Sequence, residues 1–194
     1  MRCQHSNQSH LLLGAGRVAA GSDGTHDGMD DGYMKDQHVM VTGASGFIGR
    51  WLCKRLREFN YKVTGLSQRD GDISQKDYFE KYANLVIDHV FHLASRTFVP
   101  NSWEDPSAFY TTNVIGTLNI LEFCRKKKIP ITFVSAYVYG PQESQPISES
   151  VKIQPTNPYA HSKYLAEQLC EFYADTFSVA CTIIRPFNVY GHGQ

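Results

Sequence analysis

From residue 38 onward, apolar positions fall into two alternating rhythms. Short apolar runs at 38–42 (HVMVT), 62–66, 85–93, 131–135 (ITFVS) and 180–185 have the length and composition of strands. Between them lie stretches with helical spacing. The segment 47–59 places Ile48, Leu52, Leu56 and Phe59 on one face. A short helix is predicted over 75–83, and a long one over 106–127 that carries Val114, Leu118, Leu121 and Phe123. A further helix is predicted over 158–176. Strands alternating with helices imply right-handed crossovers. The predicted fold class is therefore α/β, a doubly wound parallel sheet covered on both faces.

Residues 1–33 break this rhythm. Their stretch SDGTHDGMDDG is rich in Gly and Asp and has no apolar period. They read as a disordered leader, with the folded domain running over 34–194. A glycine motif inside the leader, Gly14-Ala15-Gly16-Arg17-Val18-Ala19, follows no strand and precedes no helix, so it reads as a decoy.

Composition narrows the function classes. The 194 residues are 42% hydrophobic, enough for one sizeable core. Lys plus Arg and Asp plus Glu both number 19, without the basic excess of a nucleic-acid surface. The eight histidines are scattered, so no metal site is expected. Cys3, Cys53, Cys124, Cys170 and Cys181 contain no CxxC spacing and read as reduced thiols of a cytoplasmic protein. The longest apolar run near the start, Leu11–Leu13, is too short for a signal or a membrane span.

The first strand runs into Gly43-Ala44-Ser45-Gly46-Phe47-Ile48-Gly49 and then a helix. This is the setting a dinucleotide-binding, Rossmann-type fold requires. Gly43 permits the tight turn, Gly46 a close backbone approach to a pyrophosphate, and Gly49 close helix–strand packing. The helix N-terminus offers free N–H groups to phosphates. The predicted cofactor is NAD(P). NAD-selective folds place an acid at the end of the second strand. Here that end reads Gly65-Leu66-Ser67-Gln68-Arg69, with no acid before Asp70. Arg69 with Ser67 suits a 2′-phosphate, which tilts the expectation slightly to NADP(H); Arg69 as a solvated loop charge is the equal alternative. Asp72 and Ile73 follow, near the adenine edge.

Tyr159 and Lys163 stand four apart at a helix start and so share a face. A neighbouring ammonium stabilises phenolate, which would let Tyr159 exchange a proton with a substrate hydroxyl or ketone near neutral pH. Ser135 ends a strand, and carboxyl ends of parallel strands line the ligand crevice. Its hydroxyl would bond the same oxygen.

The motifs TGASGFIG, FHLAS, Asn113-Val114-Ile115-Gly116-Thr117, SAYVYG, PYAHSK and RPFNVYG occur in one order over 38–194. In that order and spacing the chain resembles the extended short-chain dehydrogenases, the nucleotide-sugar epimerases, dehydratases and ketoreductases. The resemblance implies a nucleotide-sugar substrate. It implies Tyr159 as acid/base, Lys163 on the nicotinamide ribose and Ser135 on the reacting oxygen. Leu93, Ala94 and Ser95 would line the cofactor, and Pro186 and Phe187 would pass the nicotinamide. Asn188 would reach the sugar nucleotide, and Thr97 would touch substrate. Asn113 would lie behind the site, with a core hydrogen-bonding role as the alternative. Relatives pair two long helices per subunit into a four-helix dimer, and the helices at 106–127 and 158–176 would serve for a homodimer here.

The chain departs from this pattern in two places. Sugar 4,6-dehydratases carry an acidic pair where this chain has Ala136 and Tyr137, so epimerase or ketoreductase action is expected instead. The stretch from Thr97 to Pro106 looks like the GDP-4-keto-6-deoxymannose reductase branch. Second, in relatives the rest of a substrate domain follows the position of Gln194, so the substrate domain is expected to be largely missing, cofactor binding weak and turnover poor. A non-catalytic NAD(P)-binding regulator and an inactive fragment are the competing readings.

Overall fold

The computed structural model describes residues 37–142 and 145–194. The leader expected over 1–33 and the glycine motif within it lie outside the described residues. Five strands form one parallel sheet: β1 (His38–Thr42), β2 (Lys62–Leu66), β3 (His89–His92), β4 (Ile131–Val134) and β5 (Cys181–Ile184). Their order is β2-β1-β3-β4-β5. All five residues of β1 are buried, the mark of a strand covered on both faces. Met40 joins the main apolar core with Val90, Ile120, Leu121, Ile131 and Phe133. Helix α1 (Phe47–Glu58) packs on β1 and β2. Helix α4 (Gly116–Lys127) packs on β3 and on α5 (Pro158–Phe177), which also meets β5. No described helix is long and apolar enough to cross a membrane.

The local chemistry explains most boundaries. Asn157 caps α5 by accepting from the Ala160 N–H at 2.8 Å, and Pro158 opens the first turn. Lys128 and Ser178 end α4 and α5 in left-handed conformation.

Three expectations differ from the structure. The helix over 75–83 is absent: turns stand there, with one 3-10 turn at Glu80–Tyr82. The Asn119 amide donates to the carbonyls of Ile73 and Gln75, at 2.9 and 3.1 Å, and the backbone there closes i→i+3 turns, with Tyr78 N donating to Gln75 O at 3.0 Å. The strand over 85–93 shrinks to His89–His92, because Asp88 turns its carboxylate onto the His38 N–H at 2.7 Å and Val86 stays exposed. The long helix over 106–127 is preceded by α2 (Val99–Glu104). It is built from α3 (Pro106–Tyr110), a π-helical turn at Thr111–Ile115, and α4.

Candidate active site

The strand order reverses its sense between β1 and β3, and at such a point the loops beyond the strand ends part to leave a crevice. The crevice here has a volume of about 680 Å³. Its floor is the turn between β1 and α1. Gly43 has φ +72°, and a Cβ on it would lie 2.7 Å from the Ala94 nitrogen. Gly49 is tighter still, since a Cβ there would lie 2.1 Å from the Gly43 carbonyl oxygen. Both positions exclude any side chain. The first turn of α1 has no side-chain cap and no acidic residue, so its N–H groups face the crevice unclaimed by side chains.

Nearly all the residues singled out from sequence meet in this one hollow. Gly43, Ser45, Gly46, Phe47, Ile48 and Gly49 form one side. Leu93, Ala94, Ser95 and Thr97 follow β3, and Asp72 and Ile73 follow the turn after β2. Ser135, Tyr159, Lys163, Pro186 and Asn188 complete the wall. Arg69 is the exception: it sits on an exposed 3-10 turn, Gln68–Asp70, and is not among the lining residues, whereas its neighbour Ser67 is.

The catalytic candidates are buried. Ser135 is 1% exposed, and its hydroxyl has no hydrogen-bond partner. A buried hydroxyl without a partner is costly, so this one is poised for a group that enters the crevice. Burial, together with the nearby Tyr137 phenol, pushes Tyr159 up to about 12. That is the reverse of the direction expected from a neighbouring ammonium. Burial also lowers Lys163 to about 8, against the opposing pull of Cys170 and Glu167. Its ammonium lies over the Phe133 ring, 4.2 Å from the centroid.

A family model for the NAD-dependent epimerase/dehydratase family matches residues 39–194. The chain belongs to that family. Among its relatives is the putative UDP-glucose 4-epimerase of Methanocaldococcus jannaschii, 36% identical over 80% of this chain and 57% of its own. The GDP-6-deoxy-D-mannose reductase of Pseudomonas aeruginosa is 34% identical over 81% of this chain and 54% of its own. The structure of RMD from Pseudomonas aeruginosa complexed with NADPH aligns with a TM-score of 0.73 at 34% identity, covering 81% and 56% of the two chains. The Brucella ovis UDP-glucose 4-epimerase in complex with NAD aligns at 0.72 and 30% identity, covering 78% and 52%. The chain thus spans little more than half the length of these relatives.

Within this member of the family, a buried polar network that sequence reasoning missed supports the site from behind. Thr117 Oγ1 spends its proton on the Asn113 carbonyl and so accepts from His92 Nε2, which leaves His92 Nδ1 to accept at 2.6 Å from Thr42 Oγ1, itself an acceptor from the Ala94 N–H at 3.1 Å. His92 is then the neutral tautomer with its proton on Nε2, donating to Thr117 Oγ1 at 3.0 Å. Burial, and secondarily the Lys163 charge, lowers His92 to about 3, in agreement with that assignment. Thr117 passes its proton to the Asn113 carbonyl at 2.6 Å. The Asn113 amide uses all its capacity: it accepts from Ser95 Oγ and Arg96 N, and donates to Arg96 O and Ser162 Oγ. Asn113 is 2% exposed and does not line the crevice, so it is the core hydrogen-bonding residue of the two readings drawn for it. No periodicity marks such a network, because its members come from β1, β3 and the loop after it, the π turn, α4 and α5.

Tyr137 was also missed as a site residue. Its φ is +63°, uncommon for a bulky side chain. Its hydroxyl donates to Asn188 Oδ1 at 2.8 Å, and its ring lies 5.9 Å from that of Tyr159. It stands between the crevice and an adjoining hollow of about 590 Å³ that also touches Arg185 and Phe187.

Proposed function

We propose that the chain carries the cofactor site and the proton-transfer group of an NAD(P)-dependent nucleotide-sugar epimerase or 4-ketoreductase. The observation that carries this reading is the Ser135 hydroxyl, buried without a partner in the same wall as Tyr159 and Lys163 and in the same crevice as the glycine turn. Gly43 and Gly49 leave the room, and the open first turn of α1 the donors, that a pyrophosphate needs. When bound, a nicotinamide supplies hydride acceptance and return. Tyr159 exchanges the proton of the reacting sugar hydroxyl, and Ser135 donates to the same oxygen. Lys163, in the same wall, would hold the nicotinamide ribose, whose hydroxyls would replace part of the hydration its ammonium lost on burial. The family and its nucleotide-sugar relatives support the substrate class. Ala136 and Tyr137 stand where a dehydratase needs acid and base, which supports epimerase or reductase action.

Tyr159→Phe keeps the ring and removes the proton. Turnover of UDP-glucose or of a GDP-6-deoxy sugar is expected to fall by about a hundredfold or more, with NADH binding unchanged. A chain that binds neither NADH nor NADPH, or a Phe variant with undiminished turnover, would overturn the reading.

A further inference from the structure

The buried network behind the crevice ends on one residue that sequence reasoning did not single out. Asn113 accepts from the Arg96 N–H at 2.8 Å and donates to the Arg96 carbonyl at 3.1 Å, so one amide holds both backbone groups of Arg96. The preceding residue, Thr112, accepts from Arg96 Nε at 3.2 Å. Backbone and side chain are thus fixed from consecutive positions of the π-helical turn Thr111–Ile115. Such turns are frequent at functional sites. The arginine so placed is exposed and lines the crevice. Among the described residues its two terminal nitrogens make no hydrogen bond, and it forms no salt bridge. Asp72, the acid of the crevice wall, turns its carboxylate onto the Ser74 N–H and hydroxyl instead, at 2.9 and 2.8 Å. Lys163 is the other cation lining the crevice, and it is 3% exposed.

We propose that Arg96 holds the diphosphate of a nucleotide in this crevice, with the π turn as its positioning device. This rests on the functional reading of the crevice and adds the charged partner that the glycine turn lacks. Residues 43–49 carry no charged side chain, so that turn offers a diphosphate backbone N–H groups alone. A planar guanidinium with free terminal N–H groups matches phosphate oxygens in pairs, and its hydrogen bonds to them are charge-assisted. Holding Arg96 at N, O and Nε before any ligand arrives reduces the ordering cost of binding. Were Arg96 there for packing or for an ion pair, it would be buried or matched with an acid, and it is neither. A nicotinamide cofactor and a nucleotide sugar both carry a diphosphate, and the two arms of the test separate them.

The first arm titrates the chain with NADH and NADPH by nicotinamide fluorescence, and uses whichever binds more tightly. The second titrates it with UDP and with GDP by calorimetry. Arg96→Gln should weaken at least one arm about tenfold or more. A loss in the first arm assigns the cofactor's diphosphate to Arg96, and a loss in the second assigns the substrate's. Arg96→Lys keeps the charge without the fork, so its affinity should fall between the two; if the Gln variant fails to fold, the Lys variant decides alone. Thr112→Val releases Arg96 Nε and should weaken the same ligand by about threefold. Raising salt from about 0.05 to about 0.5 M should cost the unaltered chain more affinity than the Gln variant, which a merely structural role would not produce. Both arms within about twofold of the unaltered chain in Arg96→Gln overturn the proposal. An unaltered chain that binds none of the four nucleotides overturns the functional reading itself, whereas binding that ignores the substitution overturns only the role of Arg96.

Discussion

Lys163 shows how a residue's chemistry and its contribution to stability part company. It is 3% exposed, and burial holds its ammonium near 8, against an ordinary value of 10.5. Between those values the unfolded chain binds more protons than the folded one, so this residue makes stability rise with pH across that window. Below pH 8 the cost of the buried charge is present in full. Lys163→Met is therefore expected to stabilise the chain at pH 7 by up to about 3 kcal/mol. That gain should fade as pH rises from about 8 to 10.5. Urea denaturation of both proteins at pH 7 and pH 10 measures it, and equal stability at pH 7 would refute it. The same substitution should abolish turnover. A functional residue held at a stability cost is a common pattern at active sites.

At the scale of elements, the site depends on how β5 is tied to α5. Glu167 is fully buried on α5, four residues beyond Lys163. Arg185, just past β5, donates to both its oxygens at 3.0, 3.1 and 2.6 Å and reaches the Tyr139 hydroxyl at 3.0 Å. This pair fixes the loop that carries Pro186 and Asn188 against the helix that carries Tyr159. Arg185→Met leaves a buried carboxylate alone and should cost about 3 kcal/mol or more. Adding Glu167→Met removes the stranded charge and should restore most of that loss. Guanidinium denaturation of the single and double variants decides; a single variant within about 0.5 kcal/mol of the parent sinks the argument. A sequence pattern does not reveal this pair, because its partners lie 18 residues apart on different elements.

At the scale of the molecule, the surface carries apolar side chains the core does not use. Ile115, Phe172 and Phe177 are exposed on the π turn and on α5, beside the helix pair from which a homodimer was expected. Within the functional reading we expect that pair to meet a second copy. Light scattering at tens of micromolar should report twice the mass of one chain, and a single-chain mass at that concentration would count against it.

The periodicity of the chain by itself determined the alternation of strands and helices, the glycine turn and the α5 face bearing Tyr159 and Lys163. Each is a local matter: backbone room at Gly43 and Gly49, or side-chain spacing of four along a helix. Tertiary structure alone decided what depends on distant partners. It replaced the helix expected over 75–83 with turns tied to Asn119 through the Ile73 and Gln75 carbonyls, and it shortened β3 through Asp88. It withdrew Arg69 from the crevice, and it set Tyr159 above its ordinary pKa by desolvation. Burial and hydrogen-bond competition are properties of the assembled core, and a pattern along the chain carries neither.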